Sequence, residues 1–184
     1  MKLKSIIGAA LGALSMSVMP AAVAGNTFDD HYQLYQTLHR HGITVAINPM
    51  SCAKGFDGMY QPFKRLLTVC QDYGRPGGVE VDWTANDYDT LRHEAQHFIQ
   101  DCNSGTNHDG QLDTLFNSED LNDFIASTIG HQQAQMFLNS PAYSRLDEHG
   151  RKIEAEAFAV AAAIDASDIA DKVTQVCGRN HFSF

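Results

Sequence analysis

The sequence has no apolar run long enough to cross a membrane. Its longest apolar stretch, from Ile6 to Met19, has about fourteen residues, whereas a membrane-spanning helix needs about 20. Lysines precede this stretch and Ala-Val-Ala follows it at 22–24, which is the pattern of a secretory signal and its cleavage site. We therefore expect residues 1–24 to be removed. The remaining chain, 25–184, would lie in the periplasm or outside the cell with no stable membrane anchor.

Basic residues are scarce. The chain has 13 lysines and arginines against 22 aspartates and glutamates, a formal net charge of −9. Two of the basic residues belong to the predicted signal, so the mature chain would carry a charge of about −11. An acidic surface repels phosphate backbones, which excludes nucleic acid as an expected partner.

The four cysteines include no CxxC pair, which argues against a thiolate zinc site. An even number of cysteines in an exported chain predicts two disulfides, which three pairings could satisfy. The pairing with the shortest loop joins Cys52 to Cys70 and leaves Cys102 for Cys177. This is the pairing that we predict.

Internal repeats, low-complexity tracts and long linkers are also missing, so one domain over 25–184 is expected. Period-two patterns predict a strand in ITVAINP, a hairpin in DGMYQPFKRLLTVC and an edge strand in VEVDW. Helical patterns predict helices ending before Gly42, starting at Thr84, and lying near 118–128, 131–138, 150–166 and 167–176. The fold class is therefore α+β, with a small antiparallel or mixed sheet followed by a mostly helical half.

The helix that starts at Thr84 has the pattern of an amphipathic scaffold. Thr84 and Asp87 resemble a capping box. One face carries an apolar stripe at helical spacing: Leu91, Ala95, Phe98, Ile99 and Cys102. We expect this face to pack into the core and the opposite face to meet solvent.

That opposite face carries the motif HExxH, as His93-Glu94-Ala95-Gln96-His97. Histidines four apart lie one helical turn apart, so both imidazoles can bind one zinc ion. Glu94 lies beside them and can act as general base on a zinc-bound water without binding the metal itself. The motif predicts a catalytic site with one Zn²⁺ ion.

A catalytic zinc site needs a third protein ligand. The metzincin continuation is absent, because Gln100 and Asn103 occupy the positions of its glycine and third histidine. Glu154 and Glu156 flank the apolar stripe of a later predicted helix, and periodicity does not choose between them. His108, eleven residues after His97, is a third candidate, since some zincins use a later histidine.

The HExxH motif together with the later segment EAEAFAVAA resembles the gluzincin group of the zincin metallopeptidases. That resemblance implies a zincin-like fold, with Glu154 as third ligand and Glu156 as its companion. It also implies that Ala157 and Ala161 are the small packing residues. Phe158 stands where these proteins have an Asp or Asn that hydrogen-bonds a zinc-binding histidine, so the orienting partner of the histidine is not identified.

Weaker patterns surround these residues. Tyr143, His131 and His149 are candidate donors to the oxyanion that forms during hydrolysis. The segment DCNSGTNHDGQLD has ligand types suited to calcium, but it lacks the EF-hand spacing and fits a turn-rich loop better. The VEVDW edge strand could pair with an extended peptide substrate.

The sequence thus predicts an exported zinc metallopeptidase that hydrolyses peptide bonds in a peptide or protein substrate. The alternative is a catalytically inactive zincin-like protein of the envelope or outside the cell. Such a protein would keep the zinc site and serve in binding or assembly.

Overall fold

The computed structural model describes residues 28–105 and 108–178. The expected signal at 1–24 lies outside the described residues. The elements, in chain order, are α1 Phe28–Arg40, β1 Thr44–Ile47, β2 Gly58–Gln61, β3 Leu66–Val69, α2 Ala85–Asn103, α3 Ser118–Ser127, α4 His131–Leu138, α5 Glu148–Ala163 and α6 Ala166–Cys177. The α+β class is confirmed. None of the helices in these ranges is long and apolar enough to cross a membrane.

The sheet is mixed and has the strand order β1-β3-β2. β3 lies in the centre, with Val45 of β1 parallel to Leu67 and Tyr60 of β2 antiparallel to Leu67. The predicted hairpin is therefore present. Its turn is a short 3₁₀ segment, Pro62–Lys64, that ends at Arg65 in the left-handed region with φ 50°.

The prediction of a strand over VEVDW is wrong, because 79–83 forms no ladder with another strand. Side-chain amides take the place of a partner strand. Gln71 accepts a hydrogen bond from the Val81 N–H and donates one to the Val81 carbonyl, both at 2.8 Å. Asn48 donates to the Val79 carbonyl at 3.2 Å. The Val79 carbonyl and the N–H and carbonyl of Val81 are therefore paired without a sheet.

α2 is the central element of the molecule. Its capping box is present, since Thr84 accepts from the Asp87 N–H and the Asp87 carboxylate accepts from the Thr84 N–H. The predicted apolar stripe lies in the core, where it packs with residues of α1, the sheet and α6. α2 also contacts β2, β3 and α5.

The expectation that the motif face meets solvent is wrong. Every residue of α2 from Leu91 to Cys102 is buried, including both histidines of the motif. The reason is α5, which packs along the polar face of α2. Ala157 and Ala161 are buried on α5 and keep its side chains small there, whereas Ala155 and Ala159 pack against α3 and α4.

Both predicted disulfides are present. Cys102–Cys177 joins the end of α2 to the end of α6. Cys52–Cys70 joins the 3₁₀ segment after β1 to the residue after β3. One disulfide therefore fixes α6 to α2, and the other fixes the segment after β1 to the end of β3.

Candidate metal centre

Three ligand atoms converge between α2 and α5. His93 and His97 lie one turn apart on α2, and Glu154 projects from α5. The two Nε2 atoms are 3.1 Å apart. The Glu154 Oε2 atom lies 3.3 Å from the Nε2 of His93 and 3.5 Å from that of His97. Among the described residues this is the one group of at least three His, Cys, Asp or Glu side chains that could hold a metal ion.

The geometry of this group fits a small cation. A tetrahedral ion bound at about 2.1 Å separates neighbouring ligand atoms by about 3.4 Å, which is close to the three distances observed. The Glu154 Oε2 atom is buried and has no hydrogen-bond donor in described parts of the chain. Two imidazoles and one carboxylate are also a donor set that zinc uses in hydrolytic enzymes.

The electrostatics of the three side chains are coupled. Burial opposes the ionised form of Glu154, but the imidazoles of His93 and His97 outweigh it and lower the pKa of Glu154 to about 2. Burial likewise opposes the charged form of His97, but Glu154, then Glu94 and Gln100, raise the pKa of His97 to about 9. The negative carboxylate therefore attracts positive charge to this position.

Gln100 orients the imidazole of His97. Its Oε1 atom lies 2.8 Å from the Nδ1 of His97. Its Nε2 group donates to the Ile153 carbonyl and to the Glu156 Oε1 atom, both at 3.0 Å. These two bonds fix the amide with its oxygen toward His97, so Nδ1 is the protonated nitrogen of the neutral ring. The Nε2 lone pair then faces the converging ligand atoms.

His93 is held by packing. The ring of Phe158 lies 4.5 Å from its ring, centroid to centroid, and the ring of Phe137 stacks on the other side of Phe158 at 4.5 Å. The Nδ1 atom of His93 is buried and has no hydrogen-bond partner among the described residues. The residue that replaces the expected Asp or Asn thus restricts the imidazole by shape.

Glu94 lies beside the ligand group and faces β2. Burial raises the pKa of Glu94, and the imidazoles of His93 and His97 offset this only in part. The Tyr60 N–H donates a hydrogen bond to its carboxylate. A Cβ on Gly58 would lie 2.7 Å from the Glu94 Oε1 atom and 2.5 Å from Thr90. The absence of a side chain at Gly58 therefore makes room for this carboxylate.

Tyr143 is the one candidate donor that the structure brings to this group. Its ring meets Phe158 edge-on at 5.6 Å. Burial, and then the carboxylates of Glu154 and Glu94, raise the pKa of Tyr143. The hydroxyl therefore stays protonated at neutral pH and can donate a hydrogen bond.

The other candidates lie elsewhere. His131 is exposed at the start of α4, and His149 bonds the Leu112 carbonyl at 2.7 Å. His108 contacts the Tyr60 hydroxyl at 3.3 Å and the Asp101 carboxylate at 3.5 Å. The described part of the DCNSGTNHDGQLD segment contains turns and brings together no group of three carboxylates.

Glu156 is fully buried and its carboxylate is saturated by donors. Besides Gln100, it accepts from Gln96 Nε2 at 2.7 Å and from the Leu115 N–H at 2.9 Å. Phe116 donates a further bond at 3.3 Å. A carboxylate with this many donors is not free to bind a metal, so Glu156 stands apart from the ligand group.

Sequence reasoning missed Gln100 and Gly58. Gln100 lies three residues after His97 and so shares its face of the helix, which is a readable signal. Gly58 gives no such signal, because its role depends on how β2 packs against α2.

Comparison with known proteins identifies one family. Residues 26–178 match a protein family that is described as a domain of unknown function (DUF8637). No curated protein and no solved structure matches the chain. The match includes the whole ligand group, both disulfides and all the described elements. The chain therefore belongs to the DUF8637 family.

Proposed function

We propose that this protein is an exported zinc-dependent metallopeptidase with a zincin-like fold, and that His93, His97 and Glu154 hold the ion. The observation that carries the proposal is the convergence of their three ligand atoms at 3.1–3.5 Å. A buried carboxylate oxygen that faces two imidazole nitrogens needs a shared cation or a proton, and this donor set suits a metal ion. Zinc is the ion that this donor set favours.

Glu94 is the general base of the proposed reaction. It neighbours the ligands but is not one of them, and burial raises its pKa, which favours uptake of a proton by the carboxylate. It takes a proton from the attacking water and passes it to the leaving amine. When bound, a zinc ion would supply Lewis-acid polarisation of the water and of the scissile carbonyl.

Tyr143 and the Tyr60–Gly58 segment complete the proposed site. The protonated hydroxyl of Tyr143 is available to the oxyanion that develops as the carbonyl is attacked. The Tyr60 N–H holds Glu94 in place while Gly58 leaves it space. The proposed site thus draws on four parts of the chain: α2 carries Glu94 and both histidines, α5 carries Glu154, the segment before α5 carries Tyr143, and β2 holds Glu94 in place.

Export is supported by the two disulfides and by the signal pattern at 1–24. Disulfides persist in the periplasm and outside the cell, whereas the cytosol keeps thiols reduced. The proposed substrate is accordingly a peptide or protein of one of these compartments.

The test is the substitution Glu94→Gln in the mature chain. We expect it to keep one bound zinc per chain and to lose cleavage of a mixed peptide library by more than about 100-fold. Glu148→Gln is the matched control, since Glu148 is an exposed glutamate of α5. Cleavage by the control should be unchanged and should stop when a chelator removes the metal. Equal cleavage by Glu94→Gln and the control would contradict the mechanism.

The alternative is a binding or assembly protein with a structural metal. It is favoured by the depth of the ligand group, because the side chains of His93 and His97 are only 9% and 8% exposed. The side chain of Glu154 is 17% exposed. The same peptide digestion separates the two functions. Zinc binding without cleavage of any peptide favours the binding protein.

A further inference from the structure

Glu156 has an unusual set of contacts for a side chain that binds no ligand. It is fully buried, and it receives bonds from α2 through Gln96 and Gln100 and from the loop before α3 through Leu115 and Phe116. A buried carboxylate is costly unless hydrogen bonds satisfy it. Here the donors fully satisfy it and fix its position.

Its effect reaches the ligand group through one amide. Gln100 could present either its oxygen or its nitrogen to His97, because the two ends of an amide have nearly the same shape. The Glu156 carboxylate accepts only, so it draws the amide nitrogen toward itself and leaves the oxygen facing His97. The Ile153 carbonyl acts in the same direction.

We infer that Glu156 is a positioning residue that tunes the metal affinity of His97 through Gln100. This inference rests on the proposed function, since it assumes a zinc ion at the ligand group. An imidazole that donates its Nδ1–H to a fixed acceptor is a more basic and better-oriented ligand. The relay orients His97, whereas Phe158 packs against the other histidine, His93.

The experiment compares four variants of the mature chain: Gln100→Leu, Gln100→Glu, Glu156→Gln, and the double variant Gln100→Glu/Glu156→Gln. Zinc affinity is measured by competition with a chelator. We expect Gln100→Leu to lose about 10–100-fold in affinity. Gln100→Glu places two carboxylates against each other and should lose affinity as well. In the double variant the carboxylate at position 100 accepts a hydrogen bond from His97 and another from the amide at position 156. Its zinc affinity should therefore be higher than that of Gln100→Glu alone.

A second measurement separates orientation from folding. In zinc-loaded protein the His97 Nδ1 proton should give a protected NMR signal. Gln100→Leu should lose this signal while a cooperative urea transition, measured with a chelator present, shows that the variant is folded. Glu156→Gln should also lose affinity, because the amide at position 156 no longer fixes which end of Gln100 faces His97. A wild-type chain that binds zinc with the same affinity as either Gln100→Leu or Glu156→Gln overturns the inference alone. A wild-type chain that takes up no zinc overturns the proposed function, and the inference with it.

A second site stands on separate observations. A cavity of about 280 Å³ lies between α1 and the segment 80–91, on the side of α2 away from the ligand group. Five aromatic side chains line it: Phe28, Tyr32, Tyr35, Trp83 and Tyr88. Trp83 and Tyr88 stack at 5.2 Å between ring centroids. Glu80 also lines the cavity, and its carboxylate accepts a hydrogen bond from the Trp83 indole.

We propose that this cavity binds the ammonium group of a lysine side chain in a peptide or protein. Aromatic ring faces attract cations, and an adjacent carboxylate adds to that attraction. His31 also lines the cavity, and behind it the Arg92 guanidinium lies 2.9 Å from the His31 Nε2 atom, where its ion pair with Asp89 offsets its charge. The chain as a whole is acidic, with a formal charge of −9, which favours a cationic over an anionic or neutral occupant.

Trp83 is the only tryptophan of the chain, so its fluorescence reports on the cavity directly. The probes are N-acetyl-lysine amide and its uncharged analogue N-acetyl-norleucine amide. We expect a saturable fluorescence change with the lysine compound, weakened at least about threefold by Glu80→Gln and unaffected by Glu148→Gln. Equal binding of the norleucine compound would show a merely apolar site. That result, or no binding of either probe, overturns the proposal.

Discussion

Two clusters of buried polar side chains lie side by side between α2 and α5. The ligand cluster consists of His93, His97 and Glu154, and the amide cluster consists of Gln96, Gln100 and Glu156. In the ligand cluster three atoms with lone pairs face one another. In the amide cluster the donors of two side chains and two backbone N–H groups surround one carboxylate. Two glutamates of one helix, two residues apart, thus have opposite surroundings.

The difference shows how to recognise a ligand in a buried polar interface. Burial does not identify the metal ligand, because both glutamates lie in the interface and Glu156, which stands apart from the ligand cluster, is the more deeply buried. The balance of hydrogen-bond donors and acceptors around each carboxylate does identify it. A carboxylate whose donors are supplied by the protein is structural, whereas one that faces only other acceptors needs a cation or a proton from outside the chain.

The largest expected effect concerns metal affinity and tests this distinction directly. Glu154→Gln removes a metal ligand. Replacing a residue that only hydrogen-bonds a ligand lowers metal affinity by roughly 10–100-fold, and we expect Glu154→Gln to lower zinc affinity by more than that. His108→Ala should leave the affinity unchanged, because His108 contacts Tyr60 and Asp101. Chelator competition measures both. The assignment of the third ligand is wrong if His108→Ala loses the zinc and Glu154→Gln keeps it.

Stability should give the opposite order. Glu156→Ala leaves several buried donors without an acceptor, and we expect it to lower the free energy of unfolding by about 3–5 kcal/mol. Glu154→Ala should cost less, about 1–2 kcal/mol, because the paired imidazoles can release their proton and become neutral. Urea unfolding in the presence of a chelator measures both variants without a contribution from bound metal. Equal losses would remove the distinction between the two clusters.

Part of this arrangement could be predicted from the sequence because it depends on local periodicity. The four-residue spacing of His93 and His97, the capping box at Thr84 and the stripe on α2 are all local patterns, and α2 has them. The hairpin follows from the period-two pattern of DGMYQPFKRLLTVC, and the α+β class follows from the change of period at Thr84. The pairing of the cysteines followed from loop length.

The rest depends on how the elements pack, which no local pattern records. The burial of the motif face follows from α5, and the loss of the expected strand at 79–83 follows from the amides of Asn48 and Gln71. Helical angles could not separate Glu154 from Glu156, because both flank the same stripe. The donors that α2 and the loop before α3 supply distinguish Glu156 from Glu154.

A smaller effect is expected at Gly58, which extends the comparison to the proposed base. Gly58→Ala adds a methyl group within 2.7 Å of the Glu94 carboxylate and within 2.5 Å of Thr90, so Glu94 must move. We expect kcat for peptide cleavage to fall by about 10–100-fold, with zinc affinity unchanged. Adding Thr90→Ser removes the nearest clashing atom and should recover part of the activity. A Gly58→Ala variant with wild-type kcat would contradict the role of this contact.

The smallest expected effect, about tenfold for a change of one pH unit, is the pH dependence of metal binding. Because the pKa of His97 is raised to about 9 and that of Glu154 is lowered to about 2, protein freed of metal holds one proton on His97 between these values. Zinc must displace that proton, so affinity should rise about tenfold per pH unit from pH 6 to 8.5. Glu154→Gln removes the charge that raises the pKa of His97. As the pH is raised, the weaker zinc affinity of this variant should therefore level off at a lower pH than that of the wild type. Chelator competition across this range measures both slopes. A slope of zero in the wild type would mean that His97 is already neutral, and that Glu154 does not attract positive charge to the ligand cluster.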